Sequence, residues 1–249
     1  MRMLFLAGLL TVLGTMPSHA QDLATTCHAT SSYDLTLAPG NLLFDRASPA
    51  PLRVVIAQGS LHTDGNAVAL DPEQQDRLAL FDRELRALVP RARKVAQNGV
   101  DMAVQAVREE VASLGLAADT RAEFDNRLNA RATELKQRIA SSQSTHDWQD
   151  DAMQQYSNQV AADLMPLLVA DLGQQAVNAA LSGDLQGAAS LRDRASSLAT
   201  ELQPRMQRRM QALRPQIEAL CPAIQRLSRL QQGLRDSRGR PLSLLQISR

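Results

Sequence analysis

The chain has 249 residues and a formal charge of +1, with 44% hydrophobic, 21% charged and only 3% aromatic side chains. This composition is typical of a folded protein and excludes low-complexity and collagen-like chains. The length fits one large domain or two small ones, and the near-zero net charge gives no support for nucleic-acid binding.

The first twenty residues have the pattern of a secretory signal peptide. Arg2 supplies a positive start, residues 3–12 form an apolar run, and small residues precede the bond between Ala20 and Gln21. The apolar run is too short to span a bilayer, and Cys27 lies too far behind it to be a lipid-modified cysteine. We therefore expect cleavage after Ala20, export to the periplasm, and a mature chain without a transmembrane segment.

Short apolar segments predict a small antiparallel β unit at the start of the mature chain. Apolar residues alternate with polar or small ones in the first segment, and proline or glycine separates several of the segments that follow. The dipeptide Asp64-Gly65 is a hairpin turn signal. The predicted strands lie at residues 33–37, 42–44, 52–56, 60–62 and 67–70.

The hydrophobic period changes at residue 71 to that of a helix. Asp71 and Gln74 fit a capping box around Pro72, and Thr120 with Glu123 predicts a second one. We expect helices to be interrupted or to end at Pro90, Gly115, Pro166, Gly183, Pro204, Pro215 and Pro222. A further helix from Asp184 is predicted by Leu191, Ala195, Leu198 and Leu202. The narrow Ala, Leu and Val seams favour an elongated, coiled-coil-like bundle of five or six helices.

The mature chain retains two cysteines, Cys27 and Cys221. An even pair in an oxidising compartment usually forms a disulfide, and two free thiols are the alternative. We predict an α+β fold in which residues 21–70 form the β unit and residues 71–236 form one cooperative helical bundle with it. Residues 237–249 are predicted to be a flexible basic tail.

The order of these features resembles a known protein family. The motifs are Cys27 after the signal peptide, the strand Tyr33 to Leu37, Asp64-Gly65-Asn66 before Val68-Ala69-Leu70, a helix from Asp71 through Phe81, Leu85, Arg86 and Pro90, and Cys221 before a helix through Leu227 and Asp236. Over about residues 25–236 they resemble the YggN-like family of uncharacterised exported bacterial proteins. The resemblance implies a periplasmic location and no established activity, so no catalytic residue is carried over.

Charge is unevenly distributed along the mature chain. Residues 21–203 carry 24 acidic and 16 basic side chains, whereas residues 204–249 carry 2 acidic and 10 basic ones, all arginine. The arginines could bind anionic lipid headgroups or another acidic envelope polymer. They could instead pair with the acidic body of the same chain, which the equal and opposite charge excesses favour. The candidate residues for a surface site are Arg205, Arg208, Arg209 and Arg214.

Residues that could carry catalysis or bind a metal do not form a recognised motif. His28, His62 and His146 are far apart in the sequence, and the aspartates of residues 147–151 lack the glycine and distal glutamate of a calcium loop. We expect no catalytic residue, metal or cofactor, and we interpret the protein as a non-catalytic binding protein that presents amphipathic helices to an unknown envelope partner. The alternatives are peripheral binding to an anionic surface and a hydrolase without a recognisable motif.

Overall fold

The computed structural model describes residues 25–184, 186–187, 189–191, 193, 204, 208–209 and 211–247. The predicted cleavage bond between Ala20 and Gln21 lies outside the described residues, as do Arg205 and most of the helix predicted after Asp184. Among the described helices, none combines the length and the hydropathy that a bilayer span requires.

The described residues pack as two compact units. The mixed unit takes its residues from Pro17–Ala96, Ala140–Gln149 and Arg214–Arg249, and the helical unit takes its residues from Gln97–Ile139 and Asp150–Leu213. This division differs from the predicted boundary at residue 70, because the first long helix contributes to both units. Whether the whole chain unfolds cooperatively, and whether its helices form a coiled coil, stay predictions.

The mixed unit contains the predicted antiparallel meander. Its strands are β2 (Asp34–Leu37), β3 (Leu42–Asp45), β4 (Arg53–Ala57), β5 (Ser60–Thr63) and β6 (Asn66–Ala67), and they are hydrogen-bonded in that order. Asp64 and Gly65 both have positive φ, as the predicted hairpin turn requires. A strand β1 (Ala29–Thr30) pairs separately with β7 (Gln246–Ile247).

The first helix, α1 (Pro72–Ala112), begins at the predicted residue. The Gln74 N–H donates to Asp71 Oδ1 at 2.8 Å, and the Asp71 N–H donates to Gln74 Oε1 at 3.1 Å, so the capping box is formed. The predicted interruption at Pro90 is wrong. Pro90 lies on the exposed side of the helix, while Leu88 and Val100 are buried on either side of it along the chain. Packing on both sides therefore outweighs the one backbone hydrogen bond that proline removes.

One face of the sheet packs on α1 and forms the core of the mixed unit. Leu42, Val54 and Ile56 are fully buried, and the Phe44 and Phe81 ring centroids lie 6.3 Å apart. A Cβ at Gly59 would lie 2.9 Å from the Gln75 carbonyl oxygen, so this turn needs glycine for close approach to the helix. Alternate residues of β3, β4 and β5 supply this core, as the period of two predicts.

The helical unit contains the second half of α1, most of α2 (Ala118–Ser141) and α3 (Asp150–Leu181). Its core is a cluster of buried apolar side chains: Val111, Leu114, Phe124, Leu128, Leu164 and Leu168. Pro166, which the sequence predicts to kink or split its helix, does not split α3: this proline is exposed, and the buried Leu164 and Leu168 flank it. A 3₁₀ turn at Thr145–Trp148 precedes α3 and belongs to the mixed unit.

The start of α2 corrects another local prediction, the capping box at Thr120. The helix begins at Ala118, so Thr120 lies inside it and does not cap it. Asp171 of α3 takes the cap's role: it accepts the Ala117 N–H at 3.1 Å and the Thr120 hydroxyl at 3.2 Å. A distant carboxylate therefore supplies the negative charge that a helix N-terminus favours.

The C-terminal residues are built into the mixed unit. Two short helices, α4 (Arg214–Glu218) and α5 (Cys221–Leu230), are separated where Pro222 predicts a restart. For residues 237–247 the expectation of a flexible tail is wrong, because Leu242 and Leu244 are buried and β7 pairs with β1. The apolar residues of this segment do not recur at a helix or strand period, so the sequence pattern does not predict their burial.

A buried carboxylate holds the turn that leads into this segment. Asp236 is only 4% exposed, and its Oδ1 accepts the backbone N–H groups of Arg238 and Arg240, both at 2.9 Å. Arg240 Nε donates to Oδ2 at 2.7 Å. Burial by itself would raise the pKa of Asp236, but the hydrogen bonds from Arg240 and Arg238 outweigh it and lower the pKa below its ordinary value.

The predicted disulfide is present between Cys27 and Cys221, with the two Cα atoms 5.2 Å apart. It joins the start of the described chain to the first residue of α5, and Cys27 is buried. The fold is therefore α+β, with N-terminal antiparallel strands, several helices and one disulfide, as predicted.

Replacing both cysteines by alanine should lower the free energy of unfolding by about 2–5 kcal/mol, because the open chain gains conformational entropy when it unfolds. Urea denaturation of the variant and of the oxidised wild type measures the difference. Reduced wild-type protein is the control and should match the variant. Equal stability of oxidised wild type and variant would contradict the structural role of the bond.

Asp236→Asn should lower the free energy of unfolding by about 1–3 kcal/mol at neutral pH, since the charge-assisted hydrogen bonds are lost. The folded-state pKa of Asp236 is lowered, so its contribution is complete above the unfolded value of about 3.9 and is lost as the pH falls through the folded value. Denaturation at pH 7 and at pH 3 should therefore show a smaller difference between wild type and variant at pH 3. A difference that does not change with pH would contradict this assignment.

Candidate interaction surfaces

The structure describes three of the four arginines that the sequence marks as a surface site, Arg208, Arg209 and Arg214, whereas Arg205 lies outside the described residues. Arg209 forms a two-point ion pair with Glu109, in which Nη1 lies 3.2 Å from Oε1. Arg214 pairs with Glu218 one helical turn away at 2.9 Å. Arg208 is exposed. Arg208 and Arg209 belong to the helical unit and Arg214 to the mixed unit, so these neighbours in sequence do not form one patch within either unit.

A further arginine of the C-terminal region also pairs with an acid of the same chain. Arg226 of α5 lies 3.2 Å from Glu84 of α1, and both belong to the mixed unit. With Arg209 and Glu109, this makes two ion pairs that join the arginine-rich region to α1. These contacts are what intramolecular charge pairing predicts, and they reduce the positive charge available to an anionic surface.

Arginines of α1 have a structural use that the sequence does not reveal. Arg91 donates to the Ala219 carbonyl at 2.8 Å, immediately after α4 ends, and Arg93 donates to the Ser142 carbonyl immediately after α2 ends. Arg77 donates to the Gln232 carbonyl at 2.8 Å, two residues after α5. Carbonyls at a helix C-terminus lack intrahelical partners and carry partial negative charge. These three arginines of α1 therefore bind carbonyl groups at or just after the ends of other helices. Only the tertiary fold identifies those carbonyl groups, because they are distant in the sequence.

One of the three histidines, His146, lies near a carboxylate. His146 Nδ1 lies 3.9 Å from Asp34 Oδ2, but the His146 side chain is 72% exposed. Asp34 also accepts from Thr145 and Gln149, so these contacts attach the edge strand β2 to the 3₁₀ turn. In the described ranges, no group of three or more histidine, cysteine, aspartate or glutamate side chains is arranged to hold a metal ion.

The most unusual surface lies on α3, which has apolar side chains on both of its faces. Leu164 and Leu168 face the core, whereas Val169, Val177 and Leu181 are 49%, 53% and 82% exposed. We define the apolar stripe as the exposed apolar residues of this outer face, which the exposed polar Gln174 borders: Ala162, Pro166, Val169, Ala170, Gly173, Val177, Ala180 and Leu181. They recur at spacings of three and four, which places them side by side on the helix.

The apolar stripe carries no charge. No lysine or arginine occurs in α3. The two aspartates in the same part of the helix face its neighbours: Asp163 pairs with Arg127 and Arg131 at 3.4 and 3.0 Å, and Asp171 caps α2. Upstream, the outer face becomes polar, with Asp151, Gln155, Asn158 and Gln159 lining a shallow depression. A surface helix ordinarily has one apolar face, and a helix that is apolar all round is ordinarily covered.

Residues 167–170 form an apolar run in the sequence, but this run does not by itself reveal the stripe. The segment is conspicuous only as a run, and a run does not say which of its residues the core takes. Once Leu164 and Leu168 are assigned to the core, the remaining apolar positions fall on the opposite face. The stripe is chemically suited to bind an uncharged apolar surface, such as one face of another helix.

Comparison with protein families matches residues 27–244 to a family described as "Protein of unknown function (DUF2884)". This agrees with the predicted membership of an uncharacterised family. No curated protein and no solved structure matches the chain.

Arg226→Glu should lower the free energy of unfolding by about 0.2–1 kcal/mol, because it replaces a partly exposed ion pair by two like charges. The double variant with Glu84→Arg and Arg226→Glu should recover most of that loss, which separates the ion pair from other effects of either substitution. Urea denaturation at low and high salt measures both. The loss should shrink in high salt, and failure of the double variant to recover stability would contradict the pairing.

Proposed function

Because the chain belongs to the DUF2884 family, a family of unknown function, we propose a role from its own chemistry: it is an exported, non-catalytic binding protein of the periplasm. Export is supported by the signal-peptide pattern before Gln21 and by the Cys27–Cys221 disulfide, a bond that persists in oxidising compartments. Binding is assigned to the apolar stripe of α3.

The single observation that carries the binding role is the exposure of the apolar stripe. Leaving Val177 and Leu181 in water forgoes the stabilisation that burying such side chains gives, about 1.5–3 kcal/mol for each full burial. A contiguous exposed apolar surface on a folded protein commonly marks an interaction site. The absence of charge on the stripe also means that covering it strands no ion without a partner.

Peripheral binding to an anionic surface is less well supported. Two of the four candidate arginines, Arg209 and Arg214, pair with acids of the same chain. The apolar stripe does not help this alternative, because helices that lie on anionic membranes carry lysine or arginine beside their apolar face and α3 has none. Charge reversal at Arg208 would test the alternative through the salt dependence of binding to anionic vesicles.

A photo-crosslinking residue at Val177 should join the protein to a partner in living cells, because Val177 is an exposed residue of the apolar stripe. The same residue at Gln137, which is exposed on α2, is the control and should give no defined adduct. Denaturing gels and mass spectrometry of the adducts, with the mature N-terminus read from the same material, measure both the contact and the predicted cleavage before Gln21.

The chemistry of the contact is tested by a second substitution in the crosslinking protein. Leu181→Lys places a charge on the stripe and should reduce the Val177 adduct, whereas Asn178→Lys, exposed but beside the stripe, should leave it unchanged. The absence of any defined adduct at Val177, or an adduct equally sensitive to both lysines, would overturn the assignment of binding to the stripe.

A further inference from the structure

We propose that Cys221 is the thiol through which the folded chain exchanges with an external disulfide, and that the bond to Cys27 closes by transfer from Cys221. This inference goes beyond the proposed binding function and does not involve the apolar stripe. It is carried by the unequal burial of the two cysteines, by the position of Cys221 in α5, and by the charges around that position.

The two cysteines differ in how far solvent reaches them. Cys27 is only 4% exposed, whereas Cys221 is partly exposed and is followed by the exposed Pro222. Both Sγ atoms lie 3.8 Å from the Ile217 carbonyl oxygen. Thiol–disulfide exchange depends on access to the sulfur. An external disulfide therefore reaches Cys221 in the folded chain, but it reaches Cys27 only after local opening.

Cys221 also has a helix position that favours a thiolate. It is the first residue of α5, and Leu220 before it makes no side-chain hydrogen bond to cap the helix. The first turn of α5 contains no acidic residue. The N–H groups of a first turn lack intrahelical partners and carry partial positive charge, so they stabilise a thiolate at this end. Since the thiolate is the attacking species in exchange, this position assigns the first step to Cys221.

The charged side chains near Cys221 agree with this assignment. Arg91 of α1 donates to the Ala219 carbonyl at 2.8 Å, two residues before Cys221. It binds a carbonyl rather than a carboxylate, so its positive charge can stabilise a thiolate nearby. The acid nearest in sequence, Glu218 of α4, pairs with Arg214 at 2.9 Å, so its negative charge is balanced.

The separation of the cysteines along the chain places closure of the bond after folding. They are 194 residues apart, and in an unfolded chain the entropic cost of bringing such distant residues together is large. In the folded mixed unit their Cα atoms lie 5.2 Å apart. The fold thus supplies the proximity, and it does so in an arrangement in which Cys221 is the more accessible of the two.

The exchange takes two steps and consumes one external disulfide, R–S–S–R. The Cys221 thiolate attacks one of its sulfurs, which forms Cys221–S–S–R and releases R–S⁻. The Cys27 thiol then loses its proton and attacks the Cys221 sulfur, which forms the Cys27–Cys221 bond and releases the second R–S⁻. The two cysteines lose two electrons and two protons, and these convert the external disulfide into two thiols. R can belong to a small thiol or to a protein.

Single-cysteine variants of the full mature chain measure the reactivity of each thiol. Cys27→Ala retains Cys221, and Cys221→Ala retains Cys27. With excess glutathione disulfide at neutral pH, Cys221 should form its mixed disulfide at least about tenfold faster than Cys27. In concentrated urea the two rates should agree within about twofold, because burial and helix position are lost. Mass spectrometry of acid-quenched samples measures the rates, and far-ultraviolet circular dichroism of each variant monitors its fold.

Three results would overturn the proposal. Equal rates in native buffer, or faster reaction of Cys27, would remove the distinction between the two thiols. A difference that persists in urea would come from the local sequence and not from the fold. A variant that is unfolded in native buffer would contradict closure of the bond after folding.

The wild-type chain tests the second step. After reduction, it is treated with limiting glutathione disulfide, and the remaining thiols are alkylated at early times. Peptide mapping should locate glutathione on Cys221, and closure of the Cys27–Cys221 bond should outpace addition of a second glutathione. Glutathione on Cys27 at early times, or accumulation of a doubly modified chain, would overturn the transfer from Cys221.

The same variants identify the source of R in cells. Cys27→Ala should form a mixed disulfide at Cys221, which gels without reductant resolve as a protein adduct and mass spectrometry resolves as a small thiol. Either adduct supports exchange at Cys221. An adduct confined to Cys221→Ala, or none at Cys221, would overturn the proposal, whereas the binding role of the apolar stripe would be unaffected.

Discussion

The mixed unit depends on bringing three distant parts of the chain together. Its sheet comes from residues before 70, its 3₁₀ turn from residues 145–148, and its last helices and strand from residues after 213. Collecting such segments costs conformational entropy before their contacts form. The Cys27–Cys221 bond and the β1–β7 pairing both join the start of the described chain to its C-terminal residues. In the folded unit Leu242 and Leu244 are buried, although no periodic pattern predicts their burial.

Several arginines of this unit join its elements by hydrogen bonds and ion pairs within the chain. Arg91, Arg93 and Arg77 reach carbonyls that follow other helices, and Arg226 reaches a carboxylate on α1. Arg240 closes its own turn on the buried Asp236. The guanidinium group suits this work because it offers several donors and keeps its charge in partly buried positions. A basic stretch of sequence is thus compatible with a surface whose charge is largely used within the molecule.

Features formed by residues close together in the sequence could be predicted, whereas those formed by residues distant in the sequence could not. The Asp71–Gln74 capping box and the Asp64-Gly65 turn were predictable, because each lies within a few residues and has a defined backbone geometry. The disulfide was predictable from the even number of cysteines together with the signal-peptide pattern, which implies an oxidising compartment. In contrast, Thr120 was assigned to a local cap because the true partner, Asp171, lies on another helix. The sequence predicts a break at Pro90, because the tertiary packing that keeps α1 continuous cannot be recognised from the neighbouring residues.

The apolar stripe could not be predicted from the sequence either. On sequence, the apolar residues of α3 all count equally as candidates for the core, and no rule says that some of them remain outside. The fold resolves this, because Leu164 and Leu168 fill the core while Asp163 and Asp171 bind groups of α2 and the residue before it. These interactions hold α3 without help from its outer face. The outer face of α3 is then left with uncharged apolar side chains, and the proposed binding role is based on this feature.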